Sequence, residues 1–151
     1  PFTPEPLPER GHPYSSSMKD CDYAYLWEKD GRTLPLVELP GDITMDDFTY
    51  YYFTFSDPAV RSMYTNREVY GNWKAEFDGL AEEGDKIFVL KLHPQMIGRA
   101  SRIAMVGELI AYMKGHGAWI ATCEEVARYV LEQEWEKNGE QDSPGKGGAL
   151  K

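Results

Sequence analysis

From Asn66 onward the chain alternates between two hydrophobic periods, and this alternation restricts its possible folds more than any single residue does. Val69, Trp73, Phe77 and Leu80 recur at spacings of four, four and three, the face of one helix, and Gly84 fits its C-terminal stop. Lys86–Leu92 follows as an apolar run with little alternation, the pattern of a strand covered on both faces. Helical spacing returns in Ser101–Gly117, with Ile103, Val106, Ile110 and Met113 read as one stripe. Ala118–Thr122 is short, aromatic and β-branched, and reads as another strand. Thr122 with Glu125 three residues later is a capping-box pattern, opening a last helix that carries Val126, Val130 and Leu131. Helix, strand, helix, strand, helix is the signature of parallel βα units, whose functional residues gather where strands end.

The N-terminal part is less regular. Residues 1–13 hold five prolines and read as an irregular segment. Leu34–Pro40, "LPLVELP", is a strand bounded by prolines. In "GDITMDDFTYYYFTF" the first part is loop-like. The aromatic part, with Tyr50, Tyr51, Tyr52, Phe53 and Phe55, suits a strand or a packed loop, and serves as core, interface or sugar platform. Residues 138–151 are a polar, Gly-rich tail. The expected organisation is thus 1–13 irregular, 14–137 folded and 138–151 tail.

Charge and composition remove several classes. A net charge of -9 argues against a nucleic-acid backbone or an anionic membrane surface as partner. No run approaches the roughly 20 apolar residues of a membrane span. The first residues lack the pattern of a signal peptide, which favours a cytoplasmic setting, and Pro1 in place of an initiator Met suggests a processed or partial product. Cys21 and Cys123 do not make a disulfide framework; Cys123, at a helix start, reads as a buried cysteine before a reactive one. There is no CxxC, HExxH or His-rich cluster, so no metal site is legible in this sequence.

Three histidines are present, and His93 stands at the lip of the Lys86–Leu92 run with Pro94 directly behind it. Imidazole titrates near neutrality and suits a general acid, provided a carboxylate fixes its tautomer. The competing reading is a packed or hydrogen-bonded histidine at a strand end. Asp46 and Asp47 are the candidate partners. Two adjacent carboxylates repel, so they are expected to point different ways, and the plain alternative for them is a turn or a helix cap. His12 and His116 read as surface residues.

The motifs, taken in order, resemble the polysaccharide deacetylase (NodB-homology, carbohydrate esterase family 4) superfamily, in its C-terminal half. They are most similar to the branch with peptidoglycan-deacetylase-like and allantoinase-like members. "YSSS" resembles the family's "YDSS", "LVELP" a strand before its fourth motif, and "DDF" stands where the family has "DW" or "DDW". "LKLHP" resembles the fifth motif, "GRASR" resembles "GRPSR", and "AWIATCEEVARY" the closing segment. The resemblance runs from Tyr14 to Val130 and implies an α/β fold, the C-terminal half of a distorted (β/α) barrel. It implies a hydrolase of amide C–N bonds in which a divalent metal, often zinc, activates water, while a late histidine protonates the leaving amine. His93 matches that histidine and Asp47 its orienting carboxylate. Phe48 and Leu92 match positions that line the acyl pocket, with Phe48 replacing the usual Trp.

Arg99 and Arg102 follow closely. Both are candidates to bind a substrate carboxylate, Arg99 foremost, or a subunit, and the favoured reading is that they cap or brace the barrel edge. The family's "TFDD" and "HxxxH" metal motifs and its arginine-proline motif are absent from this sequence. The resemblance therefore implies the acid side of a site, with zinc bound only when an N-terminal deacetylase half or another subunit joins it. The substrate is expected to be an N-acetylated sugar or a small amide. The alternative is a non-catalytic, deacetylase-like subunit of a larger assembly. A half barrel would expose strand edges and apolar faces, so a stable solitary monomer is not expected.

Overall fold

The computed structural model describes residues 4–52 and 63–141; the side chains of 135–141 are outside that description, as are Phe53, Phe55 and the tail from 142. The fold is mixed α/β, and the chain divides into two compact units. One gathers the N-terminal segment to Ser15, Tyr25–Glu38 and the chain from Thr122. The other gathers Ser16–Ala24 and Leu39–Ala121.

The first unit is built on a hairpin. Strands β1 (Tyr14–Ser15), β2 (Tyr25–Lys29) and β3 (Arg32–Glu38) form a sheet in the order β1-β3-β2. β2 and β3 are antiparallel and joined by Asp30 and Gly31, at φ 50 and 73. A two-residue hairpin turn needs positive φ at both positions, which Asp-Gly tolerates better than most pairs. β1 pairs parallel with β3, Tyr14 opposite Val37. Glu38 is fully buried, and its carboxylate accepts from the Trp27 indole N–H at 2.9 Å. The last helix among the described residues, α5 (Cys123–Gln141), packs on β3. Thr122 and Glu125 cap it reciprocally: the Thr122 N–H donates to Glu125 Oε2 at 2.7 Å, and the Glu125 N–H to Thr122 Oγ1 at 3.2 Å. The proline-rich start includes a 3-10 turn at Pro8–Arg10, closed by Gly11 at φ 79.

The second unit is helical. After a 3-10 turn at Ile43–Met45 come α1 (Asp47–Tyr51), α2 (Asn66–Glu83), α3 (Pro94–Ile97) and α4 (Ala100–Gly115). Part of the aromatic run is therefore α1, neither strand nor loop. Asp46 explains this, because its side chain accepts from the Phe48 N–H and nucleates the turn. α2 has the expected buried face of Val69, Trp73, Phe77 and Leu80, a capping box at Thr65 and Glu68, and Gly84 at φ 73. Tyr50, Tyr51, Trp73, Phe77, Leu109 and Met113 belong to one apolar cluster. The Trp73 indole N–H crosses 29 residues to the Thr44 carbonyl at 2.9 Å, fixing the turn ahead of Asp46. No helix among the described residues is long and apolar enough to cross a membrane.

Two expectations fail for the same reason. Lys86–Leu92 forms no strand ladder among the described residues; it makes a single parallel bridge, Asp46 to Lys91, and Ile87–Leu90 are half-buried. Ala118–Thr122 is irregular, with Trp119 60% exposed. An apolar run becomes a covered parallel strand only when neighbouring strands are there to pair with it. The face of α4 also differs. Met105, Val106, Leu109 and Met113 are buried, whereas Ile103 and Ile110 are exposed. The helix carries apolar residues on more than one face, so spacing alone cannot choose between them.

The choice of face is testable by urea unfolding. Leu109→Ala should cost about 3 kcal/mol, and Ile103→Ala no more than about 0.5 kcal/mol. A reversed order would restore the stripe inferred from spacing. A second prediction concerns acid. The Thr65 side chain and backbone hold the Glu68 carboxyl below its ordinary 4.5, and the Thr122 backbone and side chain do the same for Glu125. A depressed carboxyl contributes stability that is fully present above the unfolded value and is lost as pH falls through the folded one. Melting temperature should therefore fall below about pH 4.5, and Glu68→Gln should shrink that fall, read from melts across the acid range.

Candidate functional site

The site begins with one backbone bridge. The Lys91 N–H donates to the Met45 carbonyl at 2.9 Å, and the Lys91 carbonyl accepts from the Asp47 N–H at 3.1 Å. This lays the start of α1 beside the end of the Lys86–Leu92 segment. Asp47, the first residue of α1, and His93, the residue flanking α3, are thereby neighbours across 46 positions.

Asp47 is fully buried, and both its oxygens are engaged by His93. Oδ2 accepts from the His93 backbone N–H at 2.9 Å, and Oδ1 lies 2.6 Å from the ring Nδ1. A carboxylate can only accept, so Nδ1 carries the hydrogen and Nε2 is the ring's remaining nitrogen. The backbone of His93 is held too: its carbonyl accepts from the N–H groups of Met96 and Ile97 at 2.8 and 2.9 Å. Pro94 fits directly behind it, because the first helical position needs no N–H. The ring is pinned at one edge yet 36% exposed in its side chain.

Asp46 takes the other role. Its Oδ1 accepts from the Phe48 N–H at 2.9 Å as the cap of α1, 3.5 Å from His93 Nδ1, and its Oδ2 is 3.6 Å from Lys91 Nζ. The two carboxylates have different hydrogen-bond partners, but both bring an oxygen to His93 Nδ1 and so do not point apart as their repulsion had suggested. Phe48 tilts against the imidazole at 5.1 Å between centroids and stacks on Tyr52 at 4.3 Å. Phe48 and Leu92 are both partly exposed beside His93. Arg99 is exposed at the start of α4 and makes no side-chain cap there, whereas Arg102 is half-buried and donates to the Met96 carbonyl. His12 and His116 are exposed, the latter with Nδ1 on the Tyr112 carbonyl at 2.8 Å. A groove of about 340 Å³ lined by Asn66, Arg67, Tyr70, Ser101 and Glu108 contains none of these candidates.

Asp46, Asp47 and His93 present atoms within 4.8 Å of one another, so their fit to a metal can be judged. Ligands about 2.0–2.2 Å from a tetrahedral zinc stand roughly 3.3 Å apart. Nδ1 and Asp47 Oδ1, at 2.6 Å, are too close to share one ion and hold a proton between them. The trio is a possible Asp/His site, but an ion bound through Nδ1 and Asp47 Oδ1 would have to displace their hydrogen bond. Trp73, Tyr51 and Arg102 support the site, yet nothing in their spacing tied them to it; "GRASR" alone marked Arg102.

No protein-family model and no curated protein sequence matches the chain. Several solved structures do. One, described as a polysaccharide deacetylase from Mycobacterium smegmatis, is 29% identical with a TM-score of 0.69, covering 83% of this chain and 43% of that one. Puue allantoinase is 25% identical at a TM-score of 0.65, over 81% and 39%. A third, described as a polysaccharide deacetylase from Pseudomonas aeruginosa, is 26% identical at 0.64, over 81% and 40%. The chain spans about two fifths of the length of each. In fold as in the order of its motifs, it is similar to the polysaccharide deacetylase superfamily.

Proposed function

We propose that this chain forms the C-terminal part of a polysaccharide deacetylase-like hydrolase of amide C–N bonds and supplies the general acid of its site. The observation that carries this reading is the buried Asp47 carboxylate 2.6 Å from His93 Nδ1, with the ring's other edge left to act. An amine leaves an amide poorly unless it is protonated. With Nδ1 bound to Asp47, Nε2 is the nitrogen that delivers the proton, and the carboxylate steadies the imidazolium that precedes delivery. Phe48 and Leu92 form an apolar wall for the acyl group. Arg99 is free to meet a carboxylate or carbonyl farther along the substrate. That substrate is an N-acetylated sugar or a small amide.

The divalent metal that such chemistry uses, zinc by our reading, sits on polypeptide other than these residues, in an N-terminal deacetylase half or another subunit. Leu92, Trp119 and Ile120 are exposed along the two segments that would gain neighbours in a barrel. Pairing there turns Lys86–Leu92 and Ala118–Thr122 into strands and completes a distorted (β/α) barrel. The second reading is a non-catalytic, deacetylase-like subunit. The exposed face of α4, with Ile103, Gly107, Ile110 and Ala111, favours it by offering a surface for a partner.

Turnover by the complete assembly decides between the two. His93→Ala should lower it by about 10²–10⁴-fold, the range of a lost general acid, with metal content unchanged. Full activity in that variant would remove His93 from catalysis and leave the interaction reading. Zinc added to this chain alone should leave its melting temperature unmoved, since only a ligand that binds the native state raises it. A zinc-dependent rise that His93→Ala abolishes would show that Asp46, Asp47 and His93 rearrange to hold the ion.

A further inference from the structure

We propose that Arg102 is a positioning residue for the His93–Asp47 pair, its guanidinium tying the helix that begins at the imidazole to the helix that begins at the carboxylate. The inference rests on the reading of His93 as the acid. α1 and α3 are five and four residues long, far below the length at which a helix holds itself together. Each needs an external tie, and Arg102 reaches both.

On one side, Arg102 Nη1 donates to the Met96 carbonyl of α3. The N–H of that same peptide, on Ile97, donates to the His93 carbonyl at 2.9 Å, so a single peptide separates the guanidinium from the backbone of the acid. On the other side, Arg102 Cζ lies 3.8 Å from the centroid of the Tyr51 ring. Tyr51 closes α1 four residues after Asp47, is buried, and donates its hydroxyl to Asn66 Oδ1 at 3.0 Å at the start of α2. Burial pushes that hydroxyl above its ordinary value, and the Arg102 charge opposes the push. The guanidinium is therefore stacked on the carboxylate's helix and bonded to the imidazole's helix at the same time. A planar fork can do both; an ammonium cannot stack while it donates in the ring plane. Arg99, three residues earlier and exposed, has no such pair of contacts among the described residues.

The test reads the imidazole and not the fold. In the intact chain with labelled histidine, the Nδ1 proton of His93 is identified in proton–nitrogen NMR spectra by its loss in His93→Gln. Its exchange with water should quicken about tenfold in Arg102→Ala, the size of one half-buried cation–π contact. Arg102→Lys should recover part of the protection, and Tyr51→Leu should mimic Arg102→Ala. His116, whose Nδ1 bonds the Tyr112 carbonyl, is the internal control and should not change. Unchanged His93 exchange in Arg102→Ala, or in Tyr51→Leu if the first variant does not fold, overturns the proposal. So does equal loss of protection at His116, which general loosening would explain. A His93 ring with no protected Nδ1 proton in the unaltered chain overturns the acid reading as well.

Discussion

A single carboxylate organises this part of the molecule. Asp47 is without solvent contact, and burying an ionised group is costly unless partners replace its water. Here both partners come from one residue, the backbone N–H and the ring Nδ1 of His93. The cost of burial thus becomes a constraint on geometry. Moving the ring or sliding Lys91 past Met45 would strand a charge, and breaking a buried pair by losing one partner is strongly unfavourable, about 3–5 kcal/mol. The imidazole is aimed because the carboxylate cannot tolerate any other arrangement.

The same constraint explains why a pair so far apart in sequence can form without a finished sheet. Only one parallel bridge is needed to lay α1 against the Lys86–Leu92 segment. Short local devices do the rest: Asp46 capping α1, Pro94 opening α3, and Trp73 anchoring Thr44 from α2. Around this frame the aromatic residues grade from core to surface. Tyr50 and Tyr51 are buried on the side facing α2, while Phe48 and Tyr52 stack together at the exposed side by the ring.

What could be read from the sequence follows the range of the interaction involved. The buried face of α2 and the Thr122–Glu125 capping box are encoded within a few residues, and spacing gave them directly; the box at Thr65 and Glu68 is as local and emerged only with the structure. The likeness to deacetylases came from the order of motifs, and it matched His93 to Asp47 although neither residue is remarkable alone. The β2–β3 hairpin had a local signal, Asp30-Gly31 between β-forming residues, that went unread because "LPLVELP" drew attention to its second strand only. Two of the failures are non-local. Whether Ile103 or Leu109 faces the core depends on what α2 brings to α4. Whether "KIFVLKL" is a strand depends on neighbours that lie elsewhere. The aromatic run turned helical because Asp46 caps it, a choice no hydrophobic pattern announces.

This division between local and distant encoding bears on what the chain can do. The His93–Asp47 pair needs only one bridge and two helix starts, all of them here. Two ligands of one tetrahedral zinc stand roughly 3.3 Å apart, and in the Asp46, Asp47 and His93 cluster the Asp47 Oδ1–His93 Nδ1 pair is closer than that because of its own hydrogen bond. The closer Asp47 holds His93, the less Nδ1 and Oδ1 can serve together as ligands. In the proposed reading the metal is therefore held by residues other than this pair. In that reading the exposed edge of His93, bordered by Phe48 and Leu92, is the side turned to the substrate.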